Sequence, residues 1–217
     1  MAKIDRPRYV RRDFILPTLE VCRRLMGQML VCLEPNGARL AGLVIEAEAY
    51  IGHDDQGCHA RAGRTARNEV MWGPPGHAYV YFTYGMHWML NLVTEAEGFP
   101  AAILLRAIVP CEGQTRMQRR RSAWRRARSA RPLADLELAD GPAKLCQALG
   151  LDGRWNGYDL CGPKSRLFVE KRPAVKQVTA GPRVGLDSVP EPWKSIAWRF
   201  QVPTEQHPML LVQEGIQ

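Results

Sequence analysis

The sequence predicts a mixed α/β domain of the α+β type. Three observations lead there. Strand-like runs follow one another through tight-turn signals, first in MLVCLEPNGARLAGLVIEAEAY and again in YVYFTYGMHWMLN, which is how hairpins read. Helical spacing is confined to short isolated stretches, PTLEVCRRLMG and AKLCQALG, each with its own stop signal. No internal repeat and no interdomain linker divides the 217 residues, so residues 1–217 are expected to form one domain around one core.

In chain order, the opening helix is expected over PTLEVCRRLMG, with Thr18 placed to cap, Leu19, Cys22, Leu25 and Met26 at helical spacing, and Gly27 ending it. A hairpin follows. Met29 to Leu33 is its first strand, Pro35-Asn36-Gly37 its turn, and ARLAGLVIEAEAY a longer second strand. Ile51 to Gly76 has little periodicity and reads as a long loop, the kind that in a small domain is either functional or disordered. Then come the hairpin of YVYFTYGMHWMLN and the continuous apolar run of FPAAILLRAIVP, a buried strand carrying one arginine. Arg116 to Arg131 holds eight arginines and no acid, which is either a solvated linker or helix face or a phosphate-contacting arm. Asp140-Gly141-Pro142 starts a short helix that stops at Gly150, and RLFVE and AWRFQV return to strand.

Composition narrows the function classes. Thirty Lys and Arg against 22 Asp and Glu give a formal charge of +8, and such a surface favours a polyanionic partner. Six widely spaced cysteines without a CxxC pair do not form a structural zinc site. Apolar stretches such as AAILLRAIV are short and interrupted by Arg106, so no membrane span is expected. No apolar run follows the basic N-terminus, so no leader is expected and a reducing, cytoplasmic setting fits.

The chemistry gathers on the long strand. Alternation puts Val44, Glu46, Glu48 and Tyr50 on one face and Leu43, Ile45, Ala47 and Ala49 on the other. An edge strand with its polar face in water would look the same. Yet His59 follows closely, and the next hairpin adds Tyr79, Tyr81 and Asn91, so carboxylate, imidazole, phenol and carboxamide groups could converge. Arg106 in an apolar run needs a carboxylate partner, Glu48 or Glu46, unless it reaches solvent. Glu46, Glu48, Asp54, Asp55 and His59 would also supply ligands for a hard metal in a nuclease, although no spacing demands one. The turn Thr83-Tyr84-Gly85-Met86 sets an aromatic and a thioether where hairpins carry Asn, Asp or Ser, so a non-enzymatic minor-groove wedge is a third reading.

IEAEAYIGHDDQGCHARAGRTARN, YVYFTYGMHWMLNLV, AILLRAIVP, GPAKLCQALGL and RVG, in that order, resemble the alkyladenine (3-methyladenine) DNA glycosylase family. The likeness runs from the opening helix to WRFQV. It implies a curved, largely antiparallel sheet with surrounding helices and a protruding hairpin. It also implies a monofunctional base-excision repair enzyme that flips damaged purines out of duplex DNA. The implied lesions are 3-methyladenine, 7-methylguanine, hypoxanthine and ethenoadenine, and the implied product is an intact abasic site. No cofactor or metal is implied, the partner is double-stranded DNA, and a monomer is expected. Residue by residue, the match makes Glu48 the water-activating base, with Arg106 holding the water and the carboxylate. Tyr50, His59 and Tyr81 contact the extruded base and Asn91 screens it. Tyr84, with Met86 beside it, fills the gap in the duplex, Arg64 and Lys144 grip phosphates, and the backbone of Val184 and Gly185 closes the site. The chain departs from the family at His87, at Trp88, in LDSVPEPWKSIAW and in the density of the arginine block.

Overall fold

The computed structural model describes residues 6–124 and 131–212. Its strands are β1 Met29–Leu33, β2 Arg39–Ile51, β3 Ala78–Thr83, β4 His87–Val93, β5 Ala101–Glu112, β6 Leu167–Glu170, β7 Thr179–Gly181 and β8 Arg199–Gln201. The α-helices are α1 Arg11–Phe14, α2 Thr18–Leu25, α3 Gln114–Trp124, α4 Pro142–Leu149 and α5 His207–Val212. The strands form one antiparallel sheet in the order β3-β4-β5-β2-β1-β6, with β7 and β8 joined at β2. It curls into a half-barrel within a single α+β domain.

β2 organises this sheet because it outruns β1. Met29 pairs with Leu43 and Leu33 with Arg39. Past Leu43 the freed edge of β2 is taken by β8, through Glu46↔Gln201 and Glu48↔Arg199. Its other edge lies along β5, from Ala41↔Glu112 to Ile51↔Ala101. That pairing slips three times, once between Ala41 and Gly42 and twice more where Val44 meets Ile108, Glu46 meets Ala107 and Ala47 meets Leu105. Ile45 and Arg106 are therefore each an unpaired extra residue, and bulges of this kind re-aim side chains. The strict alternation expected of the strand fails here. Val44 joins the core with Ala47 and Ala49, while Glu46 and Glu48 gather around Arg106.

The main core packs α2, α4 and the inner face of the sheet, with Phe14, Leu25, Met29, Leu43, Leu90 and Phe168 fully buried. α2 ends as its sequence indicates, with Gly27 at φ +76°, where a Cβ would also meet Val175 Cγ1 at 2.3 Å. Thr18 is not its cap, a correction to the sequence reading. Pro17 holds that position, and the Thr18 backbone N–H and hydroxyl both donate to Glu95 Oε1 at 2.8 Å. At α4 the cap is Gly141, and the carboxylate of Asp140 takes Lys144 at 2.8 Å.

The segment from Ile51 to Gly76 is ordered by its own polar residues. Asn68 is buried, donates from Nδ2 to the carbonyls of His59 and Gly63 at 3.0 Å, and accepts from Thr65 N–H at 2.7 Å. Met71 and Trp72 then bury against Tyr79, Val93 and Ala102 as a second small core. The described part of the arginine block is mostly helical, as α3. Arg116 and Arg120 pair with Glu34, Arg120 Nη1 also donates to Leu149 O at 2.7 Å, and the buried Arg121 donates to Gln147 Oε1. These three arginines dock α3 on the body of the protein. Residues 125–130 of the block lie outside the described residues.

Candidate active site

Glu48 is wholly buried, and its carboxylate accepts from three groups. Val184 N–H reaches Oε1 at 2.7 Å and the Tyr50 hydroxyl reaches Oε2 at 2.9 Å. Arg106 Nη1 straddles both oxygens at 3.3 and 3.4 Å. Burial raises the Glu48 pKa, and Arg106, the Val184 N–H and the Tyr50 O–H oppose it. The same arrangement pushes the Tyr50 phenol far above its ordinary value, through burial and the adjacent carboxylate, so Tyr50 stays a neutral donor. Glu46 takes the other side of Arg106, with Nε at 2.8 Å, and also meets Arg199 at 3.4 Å. Both candidate partners of Arg106 are thus engaged, and the bulge at Arg106 is what turns one guanidinium toward both. A carboxylate has about four lone-pair positions, so a water would reach Glu48 by displacing one of the two long contacts from Arg106.

In front of Glu48 lies a cavity of about 330 Å³. Tyr50, Arg106 and Val184, the three partners of Glu48, all line it, with His59, Tyr81 and Asn91 opposite. Strand geometry explains the cluster. Tyr79 faces Asn91 and Tyr81 faces Met89 across β3 and β4, while Asn91 pairs with Leu104 on β5 and Leu104 with Glu48 on β2. One row across four strands therefore runs from the aromatic wall to the carboxylate. His59 Nδ1 lies 2.9 Å from the Tyr79 hydroxyl, and its ring meets Tyr81 edge-on at 4.6 Å. Burial, then Arg67 and Arg61, lower the His59 pKa to about 4, which leaves the imidazole neutral near pH 7. Asn91 is buried and donates from Nδ2 to Tyr79 O at 3.0 Å, so its amide is fixed in orientation. An electron-rich, uncharged aromatic wall of this kind suits a flat base and attracts a cationic one.

The profile of the family described as Methylpurine-DNA glycosylase (MPG) matches residues 12–206. The chain belongs to the methylpurine-DNA glycosylase family. Similar proteins include one of Methanocella arvoryzae assigned as a 3-methyladenine DNA glycosylase, 48% identical over 84% of this chain and 89% of its own. One of Desulfitobacterium hafniense with the same assignment is 39% identical over 95% of this chain and 98% of its own. The human DNA-3-methyladenine glycosylase is 39% identical over 87% of this chain and 63% of its own. DNA is the partner that membership in this glycosylase family implies.

In this family member the turn between β3 and β4 projects from the cavity mouth. Tyr84 and Gly85 have φ of 51° and 65°, the left-handed pair of a type I′ turn, and Met86 N–H closes it onto Thr83 O at 3.1 Å. Tyr84 is 84% exposed and Met86 54%. An aromatic in a conformation that favours Gly or Asn, held out in water, costs stability twice over. Arg64 and Lys144 are exposed too, each in a surface pair, with Glu69 at 2.9 Å and Asp140 at 2.8 Å. Such pairs are weak enough to give way to phosphates. Lys144 lies beside Met86 in a groove below the turn.

The metal-ligand grouping read from the sequence does not assemble. Asp54 is exposed, while Asp55 is buried against Arg183, with Oδ2 at 2.5 Å from Nη1 and Oδ1 at 2.7 Å from Nη2. Among the described residues no group of three or more His, Cys, Asp and Glu is placed to hold a metal ion. The Asp55–Arg183 pair is the feature that sequence reasoning missed. Its partners stand 128 residues apart, and nothing in the polar run around Asp55 marks it as the buried acid.

Proposed function

We propose that this protein is a monofunctional DNA glycosylase of base-excision repair. It extrudes a damaged purine into the cavity and hydrolyses the N-glycosidic bond with a water activated by Glu48, leaving an abasic site and no strand break. One observation carries the reading: a fully buried carboxylate, ringed by Val184 N–H, Tyr50 O–H and Arg106, directly behind an aromatic cavity. A carboxylate so placed takes a proton from water and stabilises positive charge at the sugar C1′ as the base departs. Tyr50, His59 and Tyr81 contact the extruded base, and Asn91 disfavours the exocyclic amino group of undamaged guanine, a clash that 7-methylguanine offsets by its cationic charge and weaker glycosidic bond. A base alkylated on N3 or N7 is already cationic and leaves readily, and the neutral His59 does not repel it. Glu46 acts through Arg106. The substrate class is 3-methyladenine, 7-methylguanine, hypoxanthine and ethenoadenine in duplex DNA. No lysine stands at the catalytic motifs to form a Schiff base, which fits hydrolysis without β-elimination. A monomer suffices for the chemistry, since one chain supplies each group named.

The test is chromatography of free bases released from duplexes that each carry one such lesion, followed by alkali to cut abasic sites. Strand cleavage without base release, or activity lost in EDTA, would sink the reading in favour of a metal nuclease. Bending of undamaged duplex with no base released would favour the minor-groove binder.

Two further results are expected. Because Glu48 acts as its carboxylate, base release from hypoxanthine DNA should hold at higher pH and fall in acid. Its midpoint should stand above an ordinary glutamate's 4.5, since burial raises the pKa. His59→Gln should change the rate but leave that midpoint in place, because His59 is already neutral down to about 4; a shifted midpoint would move the titrating role to His59. At the wedge, Tyr84→Asn should raise stability by about 0.5 to 1 kcal/mol through the turn, yet weaken lesion binding because nothing fills the gap in the stack. Thermal melts and binding titrations on the same sample check both signs. Tyr84→Ser should likewise weaken binding, and unchanged base release in either variant would remove Tyr84 from the mechanism.

A further inference from the structure

Behind the cavity wall lies a charge pair for which the chemistry above has no use. Asp55 and Arg183 are both completely buried and joined by two parallel hydrogen bonds. Asp55 also accepts Ile51 N–H at 3.2 Å and Gly57 N–H at 2.9 Å, and Arg183 donates to Ala49 O at 3.0 Å. The guanidinium carbon sits over the Tyr50 ring at 4.6 Å. Tyr50 lines the cavity and Arg183 does not, so the cation backs the ring whose front a base would meet. A second cation stacked on that front would stand roughly 9 Å from the guanidinium. At an effective dielectric of ~20 the repulsion between them is worth on the order of tenfold in occupancy or rate. A neutral base would feel none of it.

We propose that Asp55, by neutralising Arg183 behind Tyr50, sets which base charge the pocket accepts. Paired, the site admits cationic alkylated purines as well as neutral lesions; with Arg183 unpaired, it discriminates against the cations. This rests on the glycosylase reading above. Asp55 is a positioning residue, since it touches only Arg183 and backbone, and the pair also holds the turn that aims Val184 N–H at Glu48.

The experiment compares single-turnover base release from matched duplexes with one 7-methylguanine, which is cationic, or one hypoxanthine, which is neutral. The proteins are wild type, Asp55→Asn, Arg183→Met and the double variant. Asp55→Asn should lower the cationic-to-neutral rate ratio by on the order of tenfold. Arg183→Met should hold or raise the ratio, because no unpaired cation remains, and the double variant should return it to the wild-type value. A purely structural role slows both substrates alike, so an unchanged ratio in folded Asp55→Asn overturns the proposal. If that variant does not fold, the other two decide: a lowered ratio in either overturns it, and a held or raised ratio in both supports it. A wild-type protein that releases neither base would instead refute the glycosylase reading itself.

Discussion

Glu48→Gln is expected to slow base release by about 10²- to 10⁴-fold, the usual worth of a positioned general base, while lesion-containing duplex still binds. Glutamine is nearly isosteric, and its single carbonyl oxygen can still accept the Val184 N–H that Glu48 Oε1 takes at 2.7 Å. The amide nitrogen falls where Oε2 accepts from Tyr50 at 2.9 Å, and a hydroxyl can turn to accept instead. Arg106 fares worse, since one of its two carboxylates becomes neutral. It keeps Glu46 at 2.8 Å, so the guanidinium stays in place and the fold should survive. Loss of rate with retained binding is the signature of a group that acts in the transition state. The measurement is single-turnover release beside a binding titration on one preparation, and equal rates in the variant and the wild type would exclude Glu48 as the base.

The largest expected effect on stability comes from Asp55→Ala. Removing one member of a fully buried ion pair leaves the other charged and desolvated, which costs about 3 to 5 kcal/mol. Here Arg183 would lose both strong donor contacts and keep Ala49 O and the faces of Tyr50 and Trp198. The backbone N–H groups of Ile51 and Gly57 would lose their acceptor as well. At about 2 to 4 °C per kcal/mol for a chain of this size, the melting temperature should fall by roughly 10 °C. By contrast, Arg64→Ala should leave the melt nearly unchanged, because its pair with Glu69 is on the surface. A small change at Asp55 would show that solvent reaches the pair.

Much of the fold was legible because its signals are local. β1 begins and ends where the apolar run does, the long β2 follows its turn, and the stops at Gly27 and Gly150 sit at positive φ. The site was legible in part for the same reason. Glu48 and Tyr50 lie two apart on one strand, and Tyr81, Tyr84 and Asn91 occupy one hairpin. The errors fell where a partner is remote. Thr18 reads as a cap until Glu95 arrives beside it. The arginines of α3 read equally as a solvated helix face or a phosphate arm, and only the structure brings Glu34, just past the end of β1, to two of them.

The sequence by itself determined most of the strands and the hairpins that join them, the exposed turn at Tyr84 and Gly85, and the set of groups available for catalysis, because turn chemistry and alternation act between near neighbours. Only the tertiary structure decided which of those groups meet. The paired bulges turn Arg106 toward both carboxylates, the turn at Val184 aims an N–H at Glu48, and burial raises one acid's pKa while Arg183 claims another acid outright. Desolvation and long-range pairing depend on what surrounds a residue in space, and no local pattern carries that information.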